Sequence, residues 1–122
     1  MRKNRQNNDH VMIVIPLTEG RPSRFLGKCD QLAIFEVDKR NKKVLYESVH
    51  QAPPHEPGLL PSCLDRLGVD VLLTGEMGPL AVKLFKQEGI DVVMNIPPKA
   101  YMQIVRDYLN GEFAVEGHLH DE

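Results

Sequence analysis

Tryptophan is absent from the 122 residues, and only two are cysteine, Cys29 and Cys63. So few thiols speak against a disulfide-stapled secreted scaffold and fit a reducing cytoplasm. Long apolar runs are missing too. No stretch approaches the ~20 residues that a membrane-spanning helix requires. The opening MRKNRQNNDH is polar and has no signal-like apolar run behind it, so residues 1–10 read as a disordered lead-in or an expression remnant. Charge of one sign is also lacking. A net charge of −2 supplies no global field to draw nucleic acid or an anionic membrane. What remains is 42% apolar and 26% charged, the composition of one ordinary globular domain.

The domain is expected over residues 11–112, with 113–122 as a polar tail. VMIVIP (Val11 to Pro16) is continuously apolar, as in a strand covered on both faces. A polar loop with Gly and Pro follows. QLAIFEVD and KVLYESVH then read as two strands joined by Asp38-Lys-Arg-Asn-Lys, which has hairpin chemistry. QAPPHEPG, with its prolines, opposes regular structure.

The second half changes period. Leu60, Leu64 and Leu67 lie at helical spacing beside Leu59 and Cys63, and Gly68 stands as a cap. VDVLLT is a short buried strand. Leu80, Ala81, Leu84 and Phe85 stripe a second helix, IDVVMNI is another strand, and Tyr101, Ile104, Val105 and Tyr108 stripe a third helix. Alternation of this kind predicts parallel strands with helical crossovers. The expectation is an α/β fold: a five-stranded mixed sheet with helices on its faces, in the order three strands and then α-β-α-β-α.

Candidate site residues fall in the loops. Thr74-Gly-Glu-Met-Gly78 lacks the lysine of a P-loop and the third glycine of a dinucleotide fingerprint. Its glycines still expose amides before a helix start, where an anion is stabilised. The plain structural reading of the same residues is a tight turn. Cys29 stands beside Lys28 and Gly27, which predicts an exposed thiol with thiolate character. Cys63 shares a helix face with Leu59 and is expected in the core. His55 and Glu56 precede a helix without forming a zincin motif. His118 and His120 form a metal-prone pair on the tail, where a solvated segment is the simpler reading. The serines Ser23, Ser48 and Ser62 sit in no nucleophile elbow, so no catalytic set assembles.

Together VMIVIPLTEG, FLGKCDQLAIFEVD, HEPGLLPSCLDRLGVDVLLTGEMGPLAVKLFKQEGIDVV and YLNGE resemble the dinitrogenase iron–molybdenum cofactor biosynthesis family from about Val11 to Gly111. The third segment is the most specific, with Gly-Val-Asp-Val, a Gly-x-x-Gly turn, a helix and Gly-Ile-Asp-Val in order. The resemblance implies a ribonuclease H-like fold and non-catalytic binding, storage or transfer of an iron–sulfur or iron–molybdenum type cluster or its precursor. It implies a cofactor-assembly or acceptor protein as partner. Carried over by position, Cys29 and His55 become metal ligands, and Gly75, Glu76, Met77 and Gly78 become the cofactor-binding turn. Two departures stand out. Arg24 replaces the histidine of the family's His-Phe-Gly segment, and Glu76 occupies the place of a second glycine.

Two rival readings bracket this one. A metal-free interaction or regulatory module of the same fold would bind a protein partner or small anion at the same end. A nuclease would need a carboxylate on the first strand, and VMIVIP carries none.

Overall fold

The computed structural model describes residues 9–113. Strand β1 (His10–Thr18) begins inside the stretch assigned to the lead-in and runs two residues past Pro16. Residues 1–8 and the His118/His120 tail lie outside the described residues. β2 (Arg21–Pro22) folds straight back on β1, followed by a one-turn 3-10 helix, Leu26–Lys28. β3 (Gln31–Asp38) and β4 (Lys43–Gln51) form the expected hairpin. Asp38 closes its turn by accepting from the backbone amides of Arg40 and Asn41 at 3.0 and 3.1 Å. Then come α1 (Leu59–Leu67), β5 (Val71–Leu73), α2 (Pro79–Gln87), β6 (Asp91–Val93) and α3 (Tyr101–Leu109).

The sheet is mixed and six-stranded, ordered β4-β3-β1-β5-β6, with β2 paired to β1 off that path. β3 lies antiparallel to both β1 and β4, whereas β5 and β6 run parallel to β1 and to each other. The expected five strands are thus joined by a sixth. Arg21–Pro22 is too short, and too rich in turn residues, to carry a strand signal of its own. It pairs because Gly20, at φ 81°, lets the chain reverse.

Alternation along the strands divides the core in two. Ile13, Ile15 and Leu17 join Ala33, Phe35, Val71 and Leu73 under α3, which contributes Ile104 and Val105. Val14, Leu32, Ile34 and Leu72 face the opposite way and meet Leu60 and Leu64 of α1 and Phe85 of α2. Each such fully buried side chain contributes about 1.5–3 kcal/mol. Gly68 ends α1 at φ 84°, with its amide bonded back to the last turn, as its position predicts. Asp70 and Asp91 lie at the amino edge of the parallel strands. There the Asp70 carboxylate accepts from the Met12 amide at 2.8 Å. The opposite, carboxyl edge is left to the loops that follow β1, β5 and β6.

Candidate functional site

The loop after β1 is held firmly. Ser23 and Thr18 share a 2.6 Å hydroxyl contact, the Thr18 hydroxyl donates to the Lys28 carbonyl, and the Asp30 amide donates to Leu17 O at 2.8 Å. These bonds bring residues 23–26 alongside the turn after β5. A parallel bridge joins Phe25 to Glu76: the Glu76 amide donates to Arg24 O at 2.6 Å, and the Leu26 amide donates to Glu76 O at 2.9 Å. Gly75 makes this approach feasible. A β-carbon there would fall on the Arg24 carbonyl oxygen and within 2.6 Å of Ser23 O. Gly78 has open space around it and φ of −75°, so its role is confined to starting α2.

The bridge forms a ridge with a hollow on either side. On the α1/α2 side lies a groove of about 360 Å³, lined by His55, Met77, Gly78, Leu26 and apolar residues of the two helices. Leu80, Ala81, Leu84 and Phe85 all line it, and only Phe85 is buried. The α2 stripe therefore meets the core through Phe85 and walls an open groove with the rest, and Leu80 is left 62% exposed. On the α3 side are two adjoining clefts. One contains Ser23, Arg24, Gly75, Glu76 and Asn95; the other contains Arg21, Arg24, Lys99 and the start of α3.

The predicted site residues divide across this ridge. His55, Met77 and Gly78 line the groove, whereas Gly75 and Glu76 line the cleft beside Arg24. Cys29 requires a correction. Its thiol is only 2% exposed and packs among Leu26, Leu32 and Leu60. Burial, reinforced by the neighbouring Asp30 carboxylate, pushes it up to about 11, so the expected exposed thiolate is not present. Lys28 points that reading astray: Leu26 and Leu32 on either side bury the sulfur, while the lysine head remains in water. Cys63 differs in the opposite sense, being partly exposed rather than in the core.

Cys29 still reaches the site, through its backbone. His55 Nε2 lies 2.7 Å from the Cys29 carbonyl oxygen. A carbonyl only accepts, so Nε2 carries the proton, and in the neutral ring Nδ1 is a bare lone pair. Ligating histidines are oriented by this kind of bond. Among the described residues, no group of three or more His, Cys, Asp or Glu side chains converges. The donors lining the groove are the His55 imidazole, the Glu56 carboxylate beside it in sequence and the Met77 thioether. Sequence reading also missed that Arg21 and Arg24 line one cleft with Lys99. No local signal could reveal it, because the two sides meet only when the sheet forms.

A family model described as dinitrogenase iron–molybdenum cofactor matches residues 10–111. The uncharacterized protein MJ0580 of Methanocaldococcus jannaschii is 28% identical over 85 residues, 67% of this chain and 72% of that protein. The crystal structure of PH0822 superimposes with a TM-score of 0.74 at 20% identity, covering 88% of this chain and 97% of that one. The apo form of the orange protein from Desulfovibrio gigas gives 0.70 at 22% identity, over 87% of this chain and 92% of that one. At such identities the two structures establish a shared fold. The family match spans nearly the whole described region, and the chain belongs to the dinitrogenase iron–molybdenum cofactor family.

Proposed function

We propose that this protein binds an iron–sulfur or iron–molybdenum type cluster, or a precursor of one, and stores or passes it on without catalysing a reaction. Family membership supports a role connected with that cofactor. The observation that carries the reading is the His55–Cys29 bond. It fixes the imidazole with Nδ1 bare, at a groove that also offers the Met77 thioether. Imidazole and thioether suit iron and softer metals, and the apolar walls would shield a cluster from water. Cys29 takes part in this scheme through its carbonyl and not its sulfur. So few protein donors would leave metal positions open to the ligands of a cofactor-assembly or acceptor protein in the cytoplasm, as a carrier requires. We read the path β4-β3-β1-β5-β6, in which β3 runs opposite to the other four strands, as ribonuclease H-like.

Anaerobic reconstitution with iron and sulfide tests the proposal. A charge-transfer band that is lost in His55→Ala supports it. Absence of a band in the parent protein sinks it. The burial of the Cys29 thiol favours one alternative, a metal-free module of the same fold that takes a protein partner or small anion at this edge. Binding of a partner by protein stripped of metal, undiminished in His55→Ala, would establish that reading instead.

A further inference from the structure

The cleft by α3 plays no part in the cluster reading, yet it is the larger hollow, about 590 Å³ against 360 Å³ for the groove. Its charge is one-sided. Arg21, Arg24 and Lys99 line it, and no carboxylate does, in a chain whose net charge is −2. Neither Arg21 nor Arg24 forms an ion pair or side-chain hydrogen bond with a described residue. Lys99 is bonded to Asp107 at 2.7 Å and retains two further donors. Guanidinium groups without a partner among the described residues, set in a concave site, present their forked donors to a planar or tetrahedral oxyanion. The start of α3 adds to the same field: Ala100 gives it no side-chain cap, and its first turn holds no acidic residue.

We propose that this cleft binds a phosphate-class oxyanion, free or as the terminal group of a small organic molecule, clamped by Arg21 and Arg24 with Lys99 as the third cation. The volume exceeds what a bare oxyanion fills. Pro22, Pro98, Tyr101 and Met102 line the remainder, giving an organic body apolar surface to rest on. Binding here is independent of iron and of His55's groove, because the Phe25–Glu76 bridge stands between them.

Titration of the metal-free protein at low salt, followed by backbone amide NMR, tests this, with inorganic phosphate in one arm and adenosine monophosphate in another. The expected result is saturable shifts at the amides of Arg21, Ser23, Arg24 and residues 100–102. Affinity should fall by about tenfold or more in the Arg21→Ala/Arg24→Ala variant and stay unchanged in Lys86→Ala, which removes an exposed cation outside both hollows. Tighter binding of the nucleotide assigns the site to an organic phosphate, and equal binding to the free anion. Both arginines are exposed, so a native circular dichroism spectrum is expected of the variant. No saturable shift with either probe, or affinity within twofold of the parent in the double variant, overturns the proposal.

Discussion

His55 and Cys29 are 26 residues apart in sequence, and a 2.7 Å bond ties the imidazole of one to the peptide carbonyl of the other. The bond depends on the Cys29 backbone and not on its sulfur. Replacing the thiol while keeping the backbone should therefore leave the imidazole oriented. Cys29→Ser is expected to load iron and sulfide as the parent does, and His55→Ala to lose most of the band. Equal loss in both variants would show that the sulfur is a ligand after all.

Thiol chemistry should separate the two cysteines. At pH 8, a group titrating at about 11 is thiolate in only ~0.1% of molecules, so alkylation of folded protein should label partly exposed Cys63 well before Cys29. Peptide mapping after brief iodoacetamide treatment reads the order. Equal labelling would mean that Cys29 is not buried in solution.

Alkaline pH should weaken the fold through the same group. The thiol titrates near its ordinary value of 9.0 when unfolded and at about 11 when folded. Between those values the unfolded chain binds fewer protons, so stability falls as pH rises from 9 towards 11. Tyr108, raised to about 12 by burial and by the Asp91 and Asp70 charges, extends the decline from its ordinary 10.0 upward. In Cys29→Ala the urea midpoints should flatten between pH 9 and 10 and fall less steeply than the parent's above that, where Tyr108 alone remains. An unaltered slope would exclude the thiol as the cause.

The two turn glycines should respond oppositely. Gly75→Ala drives a methyl into the Arg24 peptide and is expected to cost about 1–3 kcal/mol in urea unfolding. Gly78→Ala, with open space and an ordinary φ, should change stability by less than about 0.5 kcal/mol. Similar values for the pair would argue against the close approach at the ridge.

Thr74 lies beside this ridge, 2% exposed, with its hydroxyl lacking a hydrogen-bond partner among the described residues. Thr74→Val keeps the shape and removes the unsatisfied group. It should stabilise the protein by about 1 kcal/mol, measured as a raised urea midpoint. A lower midpoint would mean that the hydroxyl has a partner in solution.

Periodicity carried most of the fold. Leu60 and Leu64, Ile104 and Val105, and the Val69-Asp-Val71 and Ile90-Asp-Val92 segments all pack where their spacing places them, because burial on one face imposes its period on the sequence. The β2 pairing was not legible, since two residues set no period. Cys29 was misread because local charge says little about a residue fixed by contacts with β3 and α1. Leu80 and Leu84 kept their helical spacing but line the groove, and spacing alone does not distinguish a stripe that seals a core from one that borders a hollow. Arg24 and Lys99 were invisible as neighbours because 75 residues separate them.

The amide and carbonyl of Glu76 are both spent on residues 24 and 26. That short double tether makes the turn a common wall, hinged to the arginine loop on one flank and leading into Met77 on the other. The doubly bonded turn therefore fixes the inner wall of each hollow, a partition that lets one side fill without the other registering it.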